Sequence, residues 1–332
     1  MNPKAVLDLF KDSFKEWGED KVPRLGAALA YYTIFSIGPL LLIAIAVAGL
    51  VFSGAQAQMV STIQGMVGKE GADTIASAIK SASKPSSSII ATIIGLITLL
   101  FGASGVFGQL KDALNTIWEV KPKPGLGILA MLRERFLSFG MVLGTGFLLL
   151  VSLVVTAAVS ALGSFLSSNL PGGEFLWQII NFAISILIVA LMFALLFKFL
   201  PDAKIAWKDV WVGSIFTAVL FTLGQLGLGV YLGKGSVGSA YGAAGSIIIV
   251  LVWIYYSAQI MFFGAEFTQV YAKKYGSRVV PTENAEFATE EERAQQGMTR
   301  ADEEKPGSSK KDKDQRSGKR RAGSLKASPW FR

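Results

Sequence analysis

Residues 27 to 51, AALAYYTIFSIGPLLLIAIAVAGLV, run for twenty-five positions without a charge, long enough to cross the roughly 30 Å hydrocarbon core of a bilayer as a helix. This stretch constrains the fold more than any other in the chain. Pro39 lies inside it, preceded by Ser36 and Gly38. A proline there predicts a bend that frees a backbone carbonyl near mid-membrane, and neighbouring helices must satisfy that carbonyl.

The charges are segregated to match. The 332 residues are 52% hydrophobic with a net charge of +8, and their mean hydropathy is +0.47, so apolar and charged residues must occupy separate stretches. Charge is all but missing between 27 and 68, 85 and 110, 136 and 173, 175 and 197, 210 and 233, and 235 and 265. These gaps predict an all-α integral membrane protein of six transmembrane helices, at about 27–52, 88–108, 136–162, 176–200, 210–233 and 242–270. The fifth holds Gly213, Gly224, Gly227 and Gly229, which permits close helix contact and also predicts some unwinding.

The segments outside the membrane domain, 26–272, have their own character. Residues 1–25 form an amphipathic helix with Val6, Phe10, Phe14 and Trp17 on one face, read either as an anionic-lipid contact or as a helix packed under the bundle. Residues 53–87 suggest two short amphipathic helices broken at Gly68 to Gly71, and 109–135 reads as a basic loop in which Trp118 suits a membrane surface. From 273 to 332 the chain is charged, with few aromatics, first acidic and then basic, and is expected to be a disordered tail able to touch anionic lipid. Thirteen Lys and Arg flank one side of the predicted spans (before 25, in 109–135 and in 198–209), against Lys69, Lys80, Lys84 and Lys234 on the other. The positive-inside rule therefore puts both termini in the cytoplasm.

Three stretches carry a resemblance. LAYYTIFSIGPLLL at 29–42, LKDALNTIWEV at 110–120 with Asn115 and Trp118 as an N-x-x-W pair, and YGAAGSIIIVLVWIYYSAQIMFFGAEF at 241–267 resemble the YihY/BrkB family of bacterial inner-membrane proteins, once labelled "ribonuclease BN". The resemblance covers roughly residues 1 to 276. It implies a multi-pass protein of the inner membrane with an envelope role and no agreed activity, often taken to transport something.

Chemistry is bounded by what is missing. With no cysteine and no histidine, the chain has no disulfides, thiolate nucleophiles, Ser-His triads or His-ligated zinc. Asp112, Glu119, Glu134, Asp202 and Asp209 are scattered among lysines rather than clustered, which argues against a metal-dependent nuclease. Neither a catalytic site nor a cofactor or metal site is expected, and the chain is read as not an enzyme.

An acid inside a bilayer is a functional candidate because an insertion scale charges about 2.5 to 3.5 kcal/mol for one at the centre. Glu266 is that acid, either an ion- or proton-responsive carboxylate or a partner of Arg24, Lys198 or Lys273. Tyr255 and Gln259 share its helix, and Tyr32, Ser36 and Pro39 fall at i, i+4 and i+7 on the first. These two polar faces are the candidate pathway, the bland alternative being interhelical hydrogen bonds. The sequence reading is a transporter or flippase-like carrier of a small molecule, ion or lipid. The alternative is a non-transporting scaffold for envelope proteins. The bilayer is the expected partner, with anionic lipid at the N-terminal helix and basic tail, and no specific nucleic acid.

Overall fold

The computed structural model describes the backbone of residues 3–49, 105–125, 173–234 and 245–298, with single helical positions at 61, 64, 72, 73, 76, 77 and 140. Side chains are described throughout these except at 3, 37–49, 173–177, 229–234 and 246. Apart from those single positions, the expected segments at 53–87 and 136–162, and most of the helix at 88–108, lie outside the described residues.

The chain divides into two units, 1–287 and 288–332. In the first, α1 (Pro3–Glu19) is followed by α2 (Val22–Gly49), which remains helical through Pro39. A helix α3 over 105–117 leads into β1 (Val120–Pro122). Then come α4 (Gly173–Phe199), β2 (Ala203–Lys204), α5 (Trp207–Lys234), α6 (Gly245–Lys274), β3 (Val280–Pro281) and β4 (Ala285–Phe287). Three described stretches are long and apolar enough to cross a membrane: Gln178–Phe199 of α4, Trp207–Leu228 of α5 and Ile247–Lys274 of α6. Helix α5 is continuous to Lys234, so the expected unwinding does not occur.

Helix α6 is the hub. It packs against α5 on one side and α2 on another, with α1 across its C-terminal part, while α5 also packs against α4. One core joins Leu25 and Leu29 of α2, Leu114 of α3, Phe193 and Phe197 of α4 and Phe262 of α6. A stripe of Val212, Ile215, Val219, Leu223 and Leu226 stays exposed on α5, as a lipid-facing surface requires.

The basic segment 109–135, read as a loop, begins instead as helix. Leu110, Ala113, Leu114 and Ile117 recur at helical spacing and are all buried. The charges at Lys111 and Asp112 end the apolar run but not the helix, because they occupy its other faces. Trp118, expected at a membrane surface, is 1% exposed and part of the core.

The charged stretch from 273 also differs from a disordered tail over its first part. Its strands β3 and β4 pair antiparallel with β2 and β1, with Val120 opposite Phe287 and Lys204 opposite Val280. Cross-strand charges reinforce them: Lys121 meets Glu286 at 3.1 Å, and the Lys123 ammonium donates to the Glu283 carbonyl at 2.8 Å. At the start of α5 the buried Asp209 carboxylate accepts the Ser277 N–H at 2.9 Å, fixing the chain where it leaves α6. An acid in the first turn of a helix is favoured there by the helix dipole.

In the second unit, α7 (Glu290–Gln295) is a short helix closed at both ends. Thr289 accepts from the Glu292 N–H and the Glu292 carboxylate accepts from the Thr289 N–H, a reciprocal capping box. Gly297, at φ +77°, lets the Met298 N–H reach back to the Arg293 carbonyl. Residues 299–332 lie outside the described part.

Candidate functional site

Tyr255, Gln259, Phe262, Glu266, Gln269 and Lys273 recur every three or four positions along α6, so they form one stripe on the helix. Near its middle the stripe meets α2 at Gly26. A Cβ there would overlap the Gln259 amide nitrogen, lie 3.2 Å from Gln259 Cδ and 3.6 Å from Tyr255 Cε2. Only a residue without a side chain lets α2 take the glutamine so closely.

Burial along this stripe is severe for polar groups. Glu266 is 0% and Gln269 1% exposed. The amide oxygen and nitrogen of both Gln259 and Gln269 are out of reach of solvent and have no hydrogen-bond partner among the described residues. An amide buried in that state costs on the order of 1–3 kcal/mol. Among the described residues, two such amides lie on either side of the buried Glu266 along α6.

Two of the three cations considered for Glu266 are engaged elsewhere. Lys273 bridges Glu119 at 3.1 Å. Lys198 donates to the Ile205 carbonyl, with its ammonium 5.6 Å from the centre of the Trp207 ring. Tyr32 is exposed, edge-on to Tyr31 at 5.8 Å and beside Gly105 of α3; Ser36 is buried; and the side chain of Pro39 is outside the described residues. Gly26, nearly two turns before Tyr32, is where α2 meets the Gln259 side chain.

The other side of α6 is built differently. A Cβ at Gly213 of α5 would overlap the hydroxyl of Thr268 and sit 2.6 Å from its Cβ, and a Cβ at Gly264 of α6 would meet Thr217 in the same way. Each helix thus supplies one glycine hole and, one turn on, one threonine knob. Both hydroxyls are satisfied within their own helices, Thr217 donating to the Gly213 carbonyl at 2.7 Å and Thr268 to the Gly264 carbonyl at 2.6 Å.

Below these helices, Asn115 accounts for one half of the N-x-x-W pair. Its amide donates to Asp202 Oδ2 at 3.0 Å while its oxygen accepts the Asp202 N–H at 2.7 Å, and Lys111 adds an ion pair to the same carboxylate at 3.0 Å. The turn after Pro201 is therefore held from α3. Sequence reasoning missed Gln269, although it continues the period of Gln259 and Glu266, because the uncharged run stops at 265. It also missed the two Gly-x-x-x-Thr spacings, which are readable as letters but acquire meaning only when paired.

These features define a class: a helical membrane protein with three described helices able to span and a polar stripe buried within one of them. Residues 13–289 match the family model described as Virulence factor BrkB, and the chain belongs to that family. Its relatives include UPF0761 membrane proteins of Pseudomonas aeruginosa (29% identical over 252 residues, 74% of this chain and 58% of the relative) and Ralstonia nicotianae (27% over 268 residues, 80% and 58%). Another, from Pseudoalteromonas translucida, is 28% identical over 254 residues, 75% of this chain and 81% of the relative. The chain thus spans 58% of the length of the Pseudomonas and Ralstonia proteins. No solved structure matches it.

Proposed function

We propose that the protein is a carrier, moving a small polar molecule, an ion or a lipid across the bacterial inner membrane along the Tyr255–Gln259–Glu266–Gln269 face of α6. The observation that carries this reading is the pair of buried glutamine amides on either side of Glu266 that have no hydrogen-bond partner among the described residues. Hydrogen-bonding capacity left open inside a membrane helix is expensive to keep, and a passing ligand that uses it supplies the compensation. In this reading the chain crosses the membrane six times with both termini cytoplasmic. The paired strands and ion pairs around Asp202, Glu119 and Glu283 then lie on the cytoplasmic face, in keeping with the excess of Lys and Arg there. No enzymatic step is assigned.

The test is native mass spectrometry of the full chain in lipid nanodiscs, wild type beside Glu266→Gln and Gln259→Leu. The expected result is a co-purifying molecule or selected lipid that is weakened or lost in both variants. Identical spectra for all three proteins, whether bare or carrying the same adduct, would remove the basis for a carrier working through this face.

A further inference from the structure

Helix α1 presents its faces in an unusual order. The residues it buries are Leu9, Ser13 and, at its end, Glu19, Leu9 packing with Phe267 and Val270 of α6, whereas the apolar row expected either to touch lipid or to pack under the bundle stays largely outside, apart from Trp17, which packs against the core. Leu7 is 55% and Phe14 64% exposed, and Val6 and Phe10 are also exposed. Beside that row, on the far side from α6, Lys4, Lys11 and Lys15 follow one another along the helix, all exposed. The acids are turned the other way: Asp12 and Glu16 are half-buried, Glu19 and Asp20 are buried, and Asp12 accepts a hydrogen bond from Lys274 of α6. Lys15 also reaches Glu19 at 3.7 Å and is still 46% exposed. Asp8 is the one exposed acid of the helix, and it lies in the same row, between Lys4 and Lys11.

What covers the apolar row follows from where it leads. The Phe10 ring lies 5.3 Å from Phe216 of α5 and 6.4 Å from Phe263 of α6, and Phe216 adjoins Ile215, the next residue of the exposed stripe on α5. The row on α1 is therefore continuous with a surface that faces lipid acyl chains. The stacked pair Phe14 and Trp17, 5.4 Å between rings, supplies the aromatic residues favoured where acyl chains meet headgroups. A protein partner would have to cover α1 while leaving the adjoining stripe to lipid.

We propose that α1 lies in the plane of the membrane surface, with Val6, Leu7, Phe10 and Phe14 in the acyl boundary and the row Lys4, Lys11 and Lys15 as a recognition strip for anionic lipid headgroups. With Asp12, Glu16 and Glu19 turned away from the strip, Asp8 is the one acid left among its lysines to repel a negative surface. The strip serves whether or not the chain transports anything.

The absence of native cysteine makes the depth test direct. Single variants Leu7→Cys, Phe14→Cys and Asp8→Cys of the full chain, each carrying a nitroxide, are placed in phosphatidylcholine vesicles with and without phosphatidylglycerol. Labels at 7 and 14 are expected to relax with oxygen more than with a water-soluble nickel chelate, and the label at 8 the reverse. Equal nickel accessibility at all three positions would overturn the placement. Headgroup choice is read by native mass spectrometry of lipids retained from a phosphatidylcholine and phosphatidylglycerol mixture. Each of Lys4→Gln, Lys11→Gln and Lys15→Gln is expected to reduce the preference for phosphatidylglycerol about five-fold, the equivalent of about 1 kcal/mol per surface lysine. An unchanged preference in the triple variant, or in Lys11→Gln alone if the triple variant does not fold, would overturn the recognition strip.

Discussion

Helix α6 meets its two neighbours in opposite ways. Against α5, a glycine on each helix receives a threonine from the other, and both threonine hydroxyls are satisfied by carbonyls of their own helices. Against α2, a glycine receives the end of a glutamine whose amide has no partner among the described residues. The holes are alike and the knobs are not. A β-branched threonine is stiff at χ1 and cannot retreat from a helix backbone, whereas a glutamine has three rotatable bonds and can. The α5 seam is therefore a fixed joint, and the α2 seam is one whose filling side chain can be displaced by something else.

The largest effects should come from the fixed joint. Gly213→Ala and Gly264→Ala each place a methyl group into a threonine that cannot move away, and overpacking of this kind costs about 1 to 3 kcal/mol. Alanine's better helix propensity, about 1 kcal/mol, offsets only part of this. Thermal unfolding of the full chain in detergent should show a lowered Tm for each. Trimming the matching knob, as Gly213→Ala with Thr268→Ala, should restore much of the loss, since neighbouring sites couple. A Tm for Gly213→Ala equal to wild type, or a loss that Thr268→Ala leaves untouched, would mean the two helices are not held by these knobs.

Much of this architecture could be read from the letters, and the misses share a cause. Long uncharged runs announced α2, α4, α5 and α6 because burying charge in lipid is so costly that composition alone marks the segments. Ends were harder to read, because a run stops at the first charge while a helix stops where its backbone loses partners. Lys111 and Asp112 hid the last turns of α3 for that reason, and Gln269 was hidden beyond the charge at Glu266. The stretch 280–298 read as disordered from its charge content, yet Thr289-x-x-Glu292 is a capping box legible in sequence. Its strands depend on β1 and β2, partners more than seventy residues away, which no local signal announces. Glu266 and Gln259 stand out as candidates because polarity inside an apolar run is conspicuous. Gly26 was not, because a contact between two helices has no sequence period of its own.

The adjustable seam should tolerate the same substitution that breaks the fixed one. Gly26→Ala meets only the far end of Gln259 and, at 3.6 Å, the edge of Tyr255. Rotation of the amide about its own χ angles removes the overlap, so the cost should stay below about 1 kcal/mol and be partly cancelled by the gain in helix propensity. Comparing Gly26→Ala with Gly213→Ala in one unfolding experiment gives the contrast its sharpest form. Equal losses would show that both seams are fixed, and the distinction between them would have to be abandoned.

The smallest effect on stability is expected from Gln259→Leu, and its sign is the informative part. If the amide lacks a partner in the resting protein, replacing it by an apolar side chain of similar size removes a desolvated group and creates no orphan, so the Tm should hold or rise, by no more than about 1 kcal/mol in stability. Interhelical hydrogen bonds in membranes average about 0.6 kcal/mol; a loss of that size or greater would therefore mean that the amide is bonded and the stripe is structural glue. Unchanged stability together with a lost adduct would separate the two roles, because a residue kept for packing is missed in the unfolding curve, whereas one kept for a ligand is missed only when the ligand is offered.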